Sequence, residues 1–185
     1  MQRRERIKEG ILAALRSRLV GLCLPPLVLC CLDGALTLWG QSPEYWSGVY
    51  TATNEASPTL HQLLQHHPLA FVAGLTLWST AFISVILLLP DTLALLISVA
   101  ITFGHTAGSA TWLYWRFEYG YQLCNALFAV SAALLTCGIR YGWRADPAER
   151  YVLPFRPTVR WLIVLVIVAM AVYMYLLPRH AYDAV

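Results

Sequence analysis

Charge is scarce in this sequence. Only 12% of its 185 residues are Asp, Glu, Lys or Arg, while 58% are hydrophobic, against roughly one quarter charged in an ordinary soluble domain. A water-soluble fold of this length could not hide so much apolar surface. The chain also lacks a P-loop, GxGxxG, HExxH or GxSxG motif, so no phosphate cradle, dinucleotide fingerprint, zincin helix or nucleophile elbow is written into it. Internal repeats and low-complexity tracts are missing. The five cysteines, Cys23, Cys30, Cys31, Cys124 and Cys137, form no CxxC pair. An odd count without metal spacing argues against a disulfide scaffold or a zinc module, and each cysteine reads as a small apolar residue of a helix.

What the sequence holds instead is long apolar runs. A hydrocarbon core about 30 Å thick needs roughly 20 apolar helical residues to span it, and five segments come close: Leu19 to Trp39, Pro68 to Leu89, Thr92 to Trp115, Tyr121 to Ile139 and Trp161 to Leu177. Lipid offers backbone groups no hydrogen-bond partner, so such spans are helical. The expected fold is an all-α polytopic membrane bundle of about five transmembrane helices, forming a single domain over residues 1–185. A cleaved signal is the weaker reading of the first segment, because its basic stretch runs as far as Arg18 and no clean small-x-small site follows.

Basic residues orient the path. Arg3, Arg4, Arg6, Lys8, Arg16 and Arg18 precede the first span, and Arg140, Arg144, Arg150, Arg156 and Arg160 lie between the fourth and fifth. Short-loop Lys and Arg favour the cytoplasmic side, which predicts the N-terminus inside, the C-terminus outside, and residence in the cytoplasmic (inner) membrane. The net charge of +3 is an anchoring asymmetry, with the lipid bilayer as the partner and nucleic acid excluded. Within residues 1–18, Ile7, Ile11, Leu12 and Leu15 recur at helical spacing, as in an amphipathic basic helix on the membrane surface.

The connections are also legible. Pro90 ends the second span and Asp91 is placed to cap the third, predicting a tight hairpin. Residues 40–67 form the longest loop, in which Pro58 to His67 reads as an interfacial helix with Ser57 as its cap and Leu60, Leu63 and Leu64 on one face. Trp39, Tyr45, Trp46, Tyr50, Trp112, Tyr114, Trp115, Phe117, Tyr119 and Tyr121 gather at one boundary, as in an interfacial aromatic belt.

An ionisable side chain inside a span costs about 2.5 to 3.5 kcal/mol on insertion scales, so Asp33 and His105 demand partners. Asp33 lies six residues below the end of its span and His105 about ten below the end of its own, roughly 10 and 15 Å deep at 1.5 Å per residue. Thr37 shares the face of Asp33, and Thr102 and Ser109 share that of His105. Glu55 in the loop can fold over them. Asp33, Glu55 and His105 are donors of the kind that hold a divalent transition metal and activate water, with Asn54 and Asn125 as supporting groups; a structural hydrogen-bonded tie between helices is the competing reading. Gly104 and Gly108 form a G-x-x-x-G pair that would admit another helix. His61, His66 and His67 read as surface histidines of the loop helix.

The pattern Asp33-x-x-x-Thr37, then Glu55-x-x-Pro58, then an apolar helix resembles an uncharacterised family of small prokaryotic multi-pass membrane proteins with D-x-x-x-T and E-x-N-P patterns. The resemblance covers about the first ninety residues, with Ser57 where that family has Asn. It implies that Asp33 and Glu55 belong together and brings no activity with it. The functional expectation is a small membrane accessory or assembly subunit that touches other membrane protein subunits. The alternatives are a metal-dependent membrane hydrolase with an outward-facing Asp/Glu/His site, or ion or small-molecule transport as an oligomer.

Overall fold

The computed structural model of the chain describes residues 15–142 together with residues 161, 162, 164, 165 and 169. Every regular element among them is helical. In chain order these are α1 (Leu15–Trp39), α2 (Pro43–Trp46), a 3₁₀ turn (Tyr50–Ala52), α3 (Pro58–His66), α4 (Pro68–Leu88), α5 (Asp91–Arg116) and α6 (Gly120–Gly142). Four of them, α1, α4, α5 and α6 as far as Tyr141, are long and apolar enough to cross a membrane. The fifth expected span, Trp161 to Leu177, lies outside the described residues apart from the five positions named, all of them helical. Of the basic segment 1–18, only the part from Leu15 onward is described.

Proline shapes α1. Pro25 and Pro26 carry no N–H, so the carbonyls four residues earlier, on Gly21 and Leu22, lose their usual helical donors. The chain answers with a π-helical turn over Leu19–Cys23, a common device where a helix ladder is interrupted. The Leu22 carbonyl is taken by the Ser98 hydroxyl of α5 at 2.6 Å. The Gly21 carbonyl meets α6 at Gly138, where a Cβ would come within 2.3 Å of it. The two prolines thus open the backbone of α1 to both neighbours. α1 packs chiefly against α5, and α5 against α6.

The hairpin between α4 and α5 forms, but Asp91 does not cap as expected. Pro90 holds the cap position and Asp91 is the first residue of α5. Its carboxylate instead pairs with Arg18, which reaches across from α1. The same guanidinium donates to the carbonyls of Ile86 at 3.5 Å, Leu87 at 3.1 Å and Leu89 at 3.0 Å. One buried cation therefore satisfies the orphan carbonyls and negative dipole end of α4 and the acid that opens α5.

At the opposite end, Tyr45, Leu64 and Phe71 form a fully buried cluster, flanked by Leu38, Leu60, Leu63 and Leu75. The leucine face of α3 packs onto protein here, and Tyr45, expected in an exposed aromatic belt, is a core residue whose hydroxyl donates to the Leu64 carbonyl at 3.1 Å. Ser57 occupies the cap position of α3 but its side chain makes no cap bond; its N–H donates to Glu55 at 2.7 Å. All cysteines among the described residues are free.

Replacing Arg18 with Ala removes the donor that three carbonyls share and the cation paired with Asp91, in a part-buried setting. The expected cost is about 2 to 3 kcal/mol, read as a lowered unfolding temperature in mild detergent, with Asp91→Asn costing less because the carbonyl contacts survive.

Candidate functional site

α1 and α5 bring the two membrane-depth ionisable groups together. Asp33 Oδ2 lies 2.8 Å from His105 Nδ1, and Trp78 of α4 donates its indole N–H to His105 Nε2 at 3.1 Å. An indole nitrogen only donates, so Nε2 carries a lone pair and the proton of the neutral imidazole sits on Nδ1, directed at the Asp33 carboxylate. Three helices are tied through one ring, and its tautomer is fixed by its partners.

The surroundings of the pair are specific. A Cβ on Gly108 would stand 2.7 and 2.8 Å from the two oxygens of Asp33, so glycine is what lets the carboxylate lie against α5. Gly104, its expected partner in a helix-packing motif, has open space at that position; the G-x-x-x-G pair serves a side chain and not a helix crossing. Buried Cys30, one turn before Asp33, sits 3.5 Å from the Ser79 hydroxyl. Ser109, one turn beyond His105, is fully buried, and its hydroxyl has no hydrogen-bond partner among the described residues.

Glu55 belongs to the neighbourhood without joining the pair. Burial raises its carboxyl above the usual 4.5, the Ser57 N–H works in the opposite sense, and the charge of Asp33 raises it further. Asn125 is exposed on α6 and gives the pair no support. Asn54 is tied to Gln41, a residue that sequence reasoning passed over. The Gln41 amide donates to the carbonyls of Thr37 at 2.8 Å and Asn54 at 3.1 Å, and its oxygen accepts from the Asn54 N–H at 2.8 Å and the Thr53 hydroxyl at 3.1 Å. This one amide staples the loop to the end of α1. No composition or spacing signal marks it, because only the folded loop brings four partners to it. Trp78 was equally hidden, reading as one more aromatic in an apolar run.

Above the pair, Asn54, Glu55 and Ala56 face Thr111, Trp112, Trp115 and Arg116 across a cleft of about 370 Å³. Arg116 donates to the Gly40 carbonyl and lies over the Trp112 ring, 5.9 Å from its centroid. Trp39 stacks on Phe117 at 5.5 Å.

The expected metal triad does not assemble. Among the described residues no group of three or more His, Cys, Asp or Glu side chains could hold an ion. Both ring nitrogens of His105 are engaged, one by Asp33 and one by Trp78, so the imidazole offers no lone pair without breaking a bond. The loop histidines are spent separately: His61 Nδ1 lies 3.1 Å from the Glu55 carbonyl, and His67 accepts from the Leu69 N–H at 3.1 Å, capping α4.

Gly108→Ala is expected to destabilise the protein by about 1 to 3 kcal/mol, as overpacking does, while Gly104→Ala stays within about 0.5 kcal/mol of the parent; paired thermal unfolding curves in detergent decide it. Glu55 gives a second test. With its folded carboxyl raised, the native state holds the proton more tightly than the unfolded chain does. Stability is then greatest below the usual 4.5 and declines as pH rises from there through the folded value. Glu55→Gln is expected to flatten that decline and to stabilise the protein at neutral pH, followed by unfolding across a pH series.

Compared with known proteins, the chain matches no family model, no curated protein and no solved structure.

Proposed function

We infer that this chain is a small accessory or assembly subunit of the cytoplasmic membrane, acting through contacts with other membrane proteins, with its N-terminus inside and the cleft side outside. The basic residues gathered before α1 and after α6 support that orientation. The observation that carries the functional reading is the contrast between the inside of the bundle and its faces. At membrane depth the polar side chains are largely spent on one another: Asp33 on His105, His105 on Trp78, and Thr106 on Ser131 at 3.0 Å. The outer surfaces are mainly apolar. On α6 only 17% of the apolar window is buried, against 44% on α1, and Leu123, Phe128 and Val130 are exposed along it. A helix held to the bundle along the line of Cys124, Leu127, Ser131 and Gly138 and largely exposed on its other faces suits a surface that receives lipid or another helix.

The hydrolase reading loses support, because its three expected ligands do not converge. A photo-crosslinker placed at Val130 and activated in native membranes is expected to give one adduct of discrete mass at fixed stoichiometry, absent when the probe sits at buried Leu29. A solitary monomer carrying only lipid adducts would overturn the reading.

A further inference from the structure

The cleft above Asp33 and His105 has a chemistry that neither the buried pair nor the apolar faces use. Its walls carry one cation, Arg116, one carboxylate, Glu55, and two indoles, Trp112 and Trp115, together with Asn54. Its volume of about 370 Å³ lies at the small end of ligand pockets, roughly 300 to 1,000 Å³. That is room for a head group and not for an acyl chain.

Its position is equally informative. α5 ends at Arg116 and α1 at Trp39, so the cleft opens where two spans finish, at bilayer-boundary level. Indole rings favour that level because one edge is apolar and the N–H is polar. Arg116 donates to the Gly40 carbonyl, which anchors the guanidinium at the rim, and its planar fork has further N–H groups suited to phosphate oxygens. Glu55 is seated in the facing loop wall, where burial and the Asp33 charge penalise its ionised form while the Ser57 and Ala56 N–H groups and the nearby His61 favour it, the balance lying on the side of the penalty. A purely anionic ligand would add to that penalty, and a cationic group would relieve it. A purely cationic ligand would in turn face Arg116. The combination selects a molecule with both signs, spaced across a small cleft.

We propose that this cleft binds a zwitterionic amino-phosphate of the kind carried by an ethanolamine phospholipid head group, with the phosphate on Arg116, the ammonium on Glu55 and the indoles of Trp112 and Trp115 as flanking walls. The assignment does not depend on a protein partner, since it is tested on the isolated chain.

The test is native mass spectrometry of the full-length chain in mild detergent, titrated with phosphatidylethanolamine or phosphatidylglycerol, which share the phosphate and differ in the amine. The ethanolamine lipid is expected to be retained at least about tenfold more tightly, the scale of one charge-assisted contact. Glu55→Gln is expected to bring the two lipids to near parity, and Thr111→Trp, a substitution on the exposed rim that fills the cleft, to release both. Helix content by circular dichroism is to be unchanged in each variant. Soluble phosphorylethanolamine separates the sources: displacement of the lipid assigns the site to the head group. Binding of the soluble compound with no retention of the lipid assigns the same chemistry to a free solute. Equal retention of both lipids by the parent, or a preference that survives Glu55→Gln, would overturn the proposal.

Discussion

The bundle is organised around one hydrogen-bonded carboxylate and imidazole at membrane depth. Neither group is tolerable alone in hydrocarbon, where ionisable side chains cost several kcal/mol and no water supplies a partner. Their 2.8 Å contact fixes how α1 lies against α5, and the Trp78 N–H on the far side of the ring brings in α4. Nearby choices then become obligatory. Gly108 has to be glycine so that the carboxylate can approach, and the imidazole has to be neutral with its proton on Nδ1 because the other nitrogen faces a donor.

The same economy recurs at both ends of the bundle. Arg18 closes the α4–α5 turn by answering three carbonyls and a carboxylate at once. Gln41 answers four groups at the other end. A membrane bundle cannot rely on hydrophobic burial to choose among helix arrangements, since lipid is as apolar as the side chains. Multivalent polar groups choose instead, each cheap only in the one arrangement that satisfies all of its partners. This also explains the prolines of α1: the donors they remove leave carbonyls that a hydroxyl of α5 and a glycine of α6 are shaped to meet.

The polar groups at the cleft differ in kind. Arg116, Glu55 and Asn54 stand at the end of the spans, where water and head groups compete for them, and their arrangement has room in it. A largely satisfied interior holds the helices, while the cleft at the end of the spans keeps mixed charge around an open volume.

The apolar runs determined by themselves that the chain is helical and membrane-spanning, because length and composition suffice when lipid is the solvent, and the helix limits of α4, α5 and α6 fall within a few residues of those runs. The pairing of Asp33 with His105 was legible too, since similar depths and a shared need for a partner pointed each at the other. Tertiary structure decided the rest. A side chain's type announces what it can bond, but the direction in which α4 presents Trp78, or in which the loop presents Asn54 to Gln41, depends on how the helices rotate against one another. Asp91 turned from a cap into the partner of Arg18 for that reason. Glu55 came to rest beside the pair and not in it, because the loop that carries it is stapled by an amide whose four contacts exist only after folding.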